Sequence, residues 1–173
     1  EVEEPTYKTS VAGIYAIGDI IGPPLLAHVA SEEGVACVER IAGHHTFGVH
    51  YKSIPGCTYT NPQIASIGMN EQQVKDSGIE YIKGEYSLKA HGKAIAVGDA
   101  NGIVKIIASK PYGESLGAHI IWHDASELIA EIGLAIRLEA TIEDIVSTMH
   151  AHPTLAESIH AAALGTENRM IHN

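Results

Sequence analysis

Two consecutive patterns in the later part of the chain constrain its fold more than anything else in it. Residues 79–88, 94–97, 103–108 and 116–121 are short β-rich runs, cut by Gly, Asn, Asp and Pro at turn positions. Directly after them the period changes. Leu128, Ile129, Ile132, Ala135, Ile136 and Leu138 recur at helical spacing behind Asp124, with Glu127 placed to complete a capping box. Thr141 with Asp144, then Thr154 with Glu157, mark two further helix starts. Strands in the middle and helices at the end imply an α+β fold: an antiparallel β-sheet covered by helices on one face. Upstream, residues 57–60 and 64–68 add strand-like pieces around Asn61-Pro62. A helix then begins at Asn70, with Gln73 as its capping partner and Gly78 as its stop.

The start of the chain reads differently. Residues 9–19, TSVAGIYAIGD, hold a turn at Ala12 and Gly13, and then Ile14, Tyr15, Ala16 and Ile17 as a short apolar run ending in Gly-Asp. Such a run suits a strand buried on both faces, which needs neighbours. No earlier strand or crossover helix precedes it, so its sheet partners are expected outside this stretch of sequence. Residues 25–42 read as a helix, with Leu26, Val29, Ala30, Val35, Val38 and Ile41 on its apolar face and Gly43 as its stop. A linker with His, Gly and Thr and a Pro-Gly turn follow. We place the boundary there, giving residues 1–48 and 49–173.

Composition removes several function classes. Eleven Lys and Arg against 21 Asp and Glu give a formal charge of −10, which would repel phosphate backbones and anionic membrane surfaces. Nucleic acid is therefore not an expected partner. No apolar run approaches the roughly 20 residues that cross a bilayer. The acidic opening, Glu1 to Pro5, lacks the basic start and apolar stretch of a secretory signal. Cys37 and Cys57 are the only cysteines, too few and too separated for a disulfide framework or a CxxC motif. A reducing compartment is the default, the cytoplasm or, in a eukaryote, the mitochondrial matrix.

Polar chemistry concentrates in residues 149–159, MHAHPTLAESI, with His150, His152 and His160 around Pro153 and Glu157. Pro153 pushes His152 out of helical geometry and onto a turn. Glu157 could reach back to that ring, holding one tautomer and stabilising its protonated form, as a general base requires. On spacing alone, Thr154 to Glu157 is equally a helix capping box, and spacing alone favours the cap. His150 and His152 could share one side of an extended segment and bind a metal, but no further ligand pair supports this, and no metal is expected. His28, His44, His45, His91, His119 and His123 are scattered and carry no assigned chemistry. GxGxxG, Walker, CxxC and CxxxxC motifs are all absent. An acid-base pair here would have to complete a centre supplied by something else.

Four segments occur in a telling order: Gly13-Ile14-Tyr15-Ala16-Ile17-Gly18-Asp19, then Leu26-Ala27-His28, then Tyr59-Thr60 with Pro62, Ala65 and Gly68, then His150-Ala151-His152-Pro153-Thr154-Leu155-Ala156-Glu157. Together they resemble the pyridine nucleotide-disulfide oxidoreductases, and within them the dihydrolipoamide dehydrogenase branch, over their C-terminal part. The resemblance implies that His152 is the acid-base group and that Glu157 orients it, which reverses the preference for a simple cap. It also implies that Asp19 bonds the ribityl chain of FAD, that backbone near Leu26 and Ala27 faces the flavin, and that the His152-Pro153 bond is cis. The implied reaction oxidises dihydrolipoamide, passing electrons through a redox disulfide and FAD to NAD. The implied partners are a second copy, whose flavin and disulfide His152 would reach, and the lipoyl domains of a 2-oxo acid dehydrogenase complex or the glycine cleavage lipoyl protein.

On this reading residues 1–48 are the end of an FAD-binding domain and residues 49–173 are the dimerisation domain. The dinucleotide loops and the CxxxxC disulfide belong upstream, so the 173-residue chain alone is expected neither to hold FAD stably nor to turn over. A glutathione reductase-like enzyme and a non-catalytic dimerisation module are the competing readings. Two features depart from the family pattern. Trp122 stands where a glycine is common, which is expected to alter the turn from sheet to helix, and residues 165–173 match less clearly.

Overall fold

Alternating burial along the strands builds the core of the later region. The computed structural model describes residues 2–3 and 6–172, so most of the acidic opening and the final residue of the tail, Asn173, lie outside the described residues. Five strands, β1 (Gly56–Thr58), β2 (Gln63–Gly68), β3 (Tyr81–Ser87), β4 (Ile103–Ser109) and β5 (Ser115–Trp122), form one antiparallel sheet in the order β1-β2-β5-β4-β3. The register sets Ala65 and Val104 beside Ile120, and Ile67 and Ile106 beside Ala118. All six are buried on one face. Over that face lie α4 (Ala125–Arg137), packed on β2 and β5, and α6 (Glu157–Gly165), packed on β3, on β4 and on α5 (Ile142–Ser147). Ile129 and Ile132 of α4 and Ile159, Ala162 and Ala163 of α6 complete the core. Each buried isoleucine contributes about 1.5–3 kcal/mol.

Two glycines set how closely these layers approach. A side-chain carbon on Gly84 of β3 would run into the Ala162 carbonyl of α6, so only glycine lets that helix cross the strand there. Gly102 likewise leaves room for the indole of Trp122. Trp122 is buried at the end of β5, donates Nε1–H to the Asp99 carbonyl at 2.8 Å and stacks on His123. The helix that follows starts only three residues later. On the opposite sheet face, Glu71 of α2 (Glu71–Asp76) accepts hydrogen bonds from Lys105, Lys83 and Tyr81. Lys105 above all holds the Glu71 carboxyl well below the usual range.

Two capping boxes read from the sequence are formed. The Asn70 side chain accepts the Gln73 N–H and Gln73 reciprocates, and Asp144 accepts the Thr141 N–H at 2.7 Å. Elsewhere tertiary structure overrides local pattern. Residues 94–97 are not a strand: α3 (Gly92–Ala96) occupies that stretch, with Ala94 buried and Ile95 and Val97 exposed. One buried position per turn suits a short helix and gives no strand face to bury. Asp124 does not cap α4 with its side chain; the Ser126 N–H instead donates to Gln63 Oε1 at 3.1 Å, from β2.

The structure divides into two compact units, the first ending at Tyr51 and the second starting at Lys52. Tyr51 stays with the first unit because its hydroxyl donates to Glu33 at 2.7 Å. Within that unit, residues 14–17 do not form the buried strand expected. Tyr15 makes an isolated bridge to Lys8, Ile14 and Ile17 are exposed, and a 3-10 turn takes over at Gly18–Ile21. An apolar run without neighbouring strands has no ladder to join. The helix α1 (Ala27–Ile41) forms, but it buries Val29, Glu33, Ala36 and Cys37, a stripe at helical spacing, and exposes Val35, Val38 and Ile41.

Candidate active site

The turn from Thr148 to Ala156 carries the polar cluster and is fixed by hydrogen bonds at both ends. The His152-Pro153 peptide is cis. Thr154 Oγ1 donates to the Ala151 carbonyl at 2.6 Å, closing the turn behind His152. The helix starts at Glu157 rather than at Thr154, because the Thr154 hydroxyl is spent on Ala151 and not on capping.

Glu157 serves both roles that spacing set against each other. Oε2 accepts the Thr154 N–H at 2.8 Å, which is half of a capping box, while Oε1 meets His152 Nδ1 at 2.9 Å. An ionised carboxylate only accepts, so His152 donates through Nδ1–H. In the neutral ring this leaves the lone pair on Nε2. Burial raises the Glu157 carboxyl pKa, but the Thr154 N–H and the His152 ring outweigh it and hold the group below its ordinary value. The His152 side chain is 78% exposed, so Nε2 is presented outward. Chemically this is a ring held in one tautomer, with its basic nitrogen free and a carboxylate behind it.

His150, two residues earlier, is the opposite case. Its side chain is only 7% exposed, with Nε2 2.8 Å from Glu131 Oε1 and Nδ1 2.9 Å from the Thr148 carbonyl, and its ring lies against His160. Both nitrogens are engaged, which makes His150 a structural tie between the turn and α4. Among the described residues no group of three or more His, Cys, Asp or Glu is arranged to hold a metal ion.

A cavity of about 460 Å³ opens beside the pair, lined by Tyr86, His91, Lys93, His152, Glu157 and His160 among others. His91 had no assigned chemistry in the sequence. Its ring nitrogen Nε2 lies 2.8 Å from the Thr154 carbonyl across 63 positions of chain, a contact that no local spacing could reveal. The other sequence-derived site residues belong to the first unit: Asp19 is exposed in the 3-10 turn, Leu26 is half-buried at the N-cap of α1, and Ala27 is exposed as its first residue. The structure thus joins His152 to Glu157 directly, and Asp19, Leu26 and Ala27 lie in the first unit.

Residues 54–163 match the pyridine nucleotide-disulphide oxidoreductase dimerisation domain. The chain belongs to this family. It is 48% identical over 166 residues to the mitochondrial dihydrolipoyl dehydrogenase of Pisum sativum, covering 96% of this chain and 33% of that protein. It is 47% identical over 167 residues to the dihydrolipoyl dehydrogenase of Geobacillus stearothermophilus, covering 95% of this chain and 35% of that one. The crystal structure of LpdA from Mycobacterium tuberculosis superposes with a TM-score of 0.87 at 26% identity, over 94% of this chain and 35% of that chain. The chain therefore spans about a third of the length of the relatives it matches. The five-stranded antiparallel sheet with its helical cover lies within the residues that match the dimerisation domain. Among the described residues no helix is long and apolar enough to cross a membrane.

Proposed function

We propose that residues 49–173 act as the dimerisation domain of a dihydrolipoyl dehydrogenase, that residues 1–48 close its FAD-binding domain, and that His152 and Glu157 are its acid-base pair. The observation that carries this is the exposed His152 ring with Nδ1 tied to Glu157 and Nε2 open. An acid-base group of this kind, with no cysteine or serine among the residues that line the cavity, suits a centre completed by a second copy of the chain.

In the reaction, Nε2 of His152 takes the proton from a thiol of dihydrolipoamide. The resulting thiolate, the competent nucleophile, attacks the redox disulfide across the dimer interface. Glu157 stays ionised, keeps the Nδ1 proton in place and stabilises the ring while it is charged. Proton transfer of this kind is typically worth about 10² to 10⁴ in rate. In the first unit, the exposed Asp19 carboxylate and the N-terminal backbone of α1 at Leu26 and Ala27 fit the polyol and ring edge of FAD, which supplies electron transfer from the disulfide to NAD when bound. The 173 residues alone neither retain FAD nor turn over. Lipoyl domains of a 2-oxo acid dehydrogenase complex or of the glycine cleavage system are the matching partners. Relatives named as mitochondrial, together with bacterial ones, support a site of action in the matrix or the cytoplasm.

The test grafts this chain in place of the matching third of the Geobacillus stearothermophilus enzyme. His152→Gln in that chimaera should lower lipoamide turnover by about 10² to 10⁴ while flavin content is kept. Normal turnover in the variant would refute the assignment.

A further inference from the structure

The backbone of Thr154 is gripped at both of its polar groups. Its N–H donates to Glu157 Oε2 at 2.8 Å and its carbonyl oxygen lies 2.8 Å from His91 Nε2. A carbonyl only accepts, so His91 donates through Nε2–H. His91 stands between the 3-10 turn Leu88–Ala90 and α3, and it is itself held: its backbone N–H donates to the Leu88 carbonyl and its own carbonyl accepts from the Ile95 N–H. The ring is 6% exposed and sits edge-on to the buried Tyr86 of β3, with centroids 5.7 Å apart. Its neighbours on the core side thus restrain the ring, while its other side borders the cavity. From His91 a set of contacts runs through the Thr154 backbone and both oxygens of Glu157 to His152 Nδ1.

We propose that His91 is a positioning residue for the acid-base pair: by anchoring the Thr154 carbonyl it restrains the backbone torsions of Thr154, keeps that residue's N–H aimed at Glu157, and so selects the Nδ1–H tautomer of His152. The proposal deepens the acid-base reading above and rests on it for its catalytic meaning. Its physical content stands on the contacts alone. Without the His91 donor the Thr154 carbonyl loses this partner and the Thr154 backbone, which also presents its N–H to Glu157, is less restrained. Glu157 then keeps the Thr154 N–H or the His152 ring in good geometry, but not both.

The experiment is nitrogen-15 NMR of histidine side chains in the 173-residue chain, at a pH where the rings are neutral, reading the ratio of Nδ1–H to Nε2–H tautomer at His152. The wild-type chain should show His152 as predominantly Nδ1–H. In His91→Leu the ratio should fall roughly fivefold, the order of one ordinary net hydrogen bond. His91→Gln, whose amide nitrogen reaches about as far as Nε2, should restore it, whereas the shorter His91→Asn should not. A residue serving stability alone would shift the melting temperature in all three variants and leave the tautomer ratio as in the wild type. An unchanged ratio in a folded His91→Leu or His91→Asn chain would overturn the proposal. Should the leucine variant not fold, the contrast between Gln and Asn decides it, and equal ratios in those two would equally overturn it. Because the readout involves no turnover, it can fail while the assignment of His152 stands, and the reverse.

Discussion

The two compact units hold themselves together by different means. From Lys52 onward the chain encloses a continuous apolar core, in which Trp122, Ile106, Ile120, Ile132 and Ile159 are all buried. Up to Tyr51 the enclosed apolar cluster is small, Tyr7, Ala36 and Cys37, while Ile14, Ile20, Leu25 and Val38 face outward. What binds that unit is a buried carboxylate: Glu33 is 3% exposed and accepts the Gly18 N–H and the Tyr51 hydroxyl, each at 2.7 Å. The later unit is a self-sufficient platform for the His152–Glu157 pair. The earlier one is a polar-clamped segment whose apolar surface is available for burial against something else. The difference teaches that family resemblance along a whole chain does not make all of it equally self-supporting.

The contrast can be broken in order of effect. Trp122→Ala empties a fully enclosed site, strands the Asp99 carbonyl and should cost about 3–5 kcal/mol in the unfolding of the second unit by denaturant. A loss under 1 kcal/mol would mean that the core is not what carries it. Glu33→Gln keeps the size but replaces a double acceptor by a group with one. It should cost roughly 1–3 kcal/mol, visible as faster amide exchange along α1 and not along β4 and β5. Equal loosening of both would show that the units are not independent.

A pH scan sharpens the same contrast by its sign. Partial burial and the bond to Glu33 raise the Tyr51 phenol above its ordinary value of 10.0, so the first unit's stability from this group is complete below that value and is lost as pH rises through and beyond it. In the second unit Glu71, Glu85 and Glu157 lie below their ordinary 4.5 and Asp144 below its 3.8. Their contribution is complete above those values and is lost as pH falls through and beneath them. Alkali should therefore loosen α1 first and acid should loosen the sheet unit first, measured by residue-resolved exchange. Val38→Ser, on the exposed side of α1, should change stability by no more than about 0.5 kcal/mol.

Much of the later unit was legible in the sequence because its signals are local. The period change between residues 121 and 128 and the caps at Asn70 and Thr141 depend only on neighbours a few positions away, and all are realised. The His152–Glu157 contact was not settled by spacing, which favoured the cap; only the family resemblance implied it, and Glu157 makes both contacts. What escaped depends on distant partners. Gln63 replaces the expected Asp124 cap from another strand, and residues 94–97 coil because the packing offers one buried position. Residues 14–17 read as a buried strand because composition records apolarity and not the presence of neighbours. His91 was passed over as one scattered histidine, since its partner lies 63 positions on.

The most direct measurement uses mixed dimers of the chimaera. One subunit carries His152→Gln with the scaffold's redox cysteines intact, and the other carries His152 with those cysteines changed to serine. The His152→Gln homodimer should be lowered as above and the cysteine-less homodimer inactive, whereas the isolated heterodimer should oxidise dihydrolipoamide through one of its two centres if, as proposed, His152 of one copy serves the disulfide of the other. A heterodimer no more active than its parents would contradict the account.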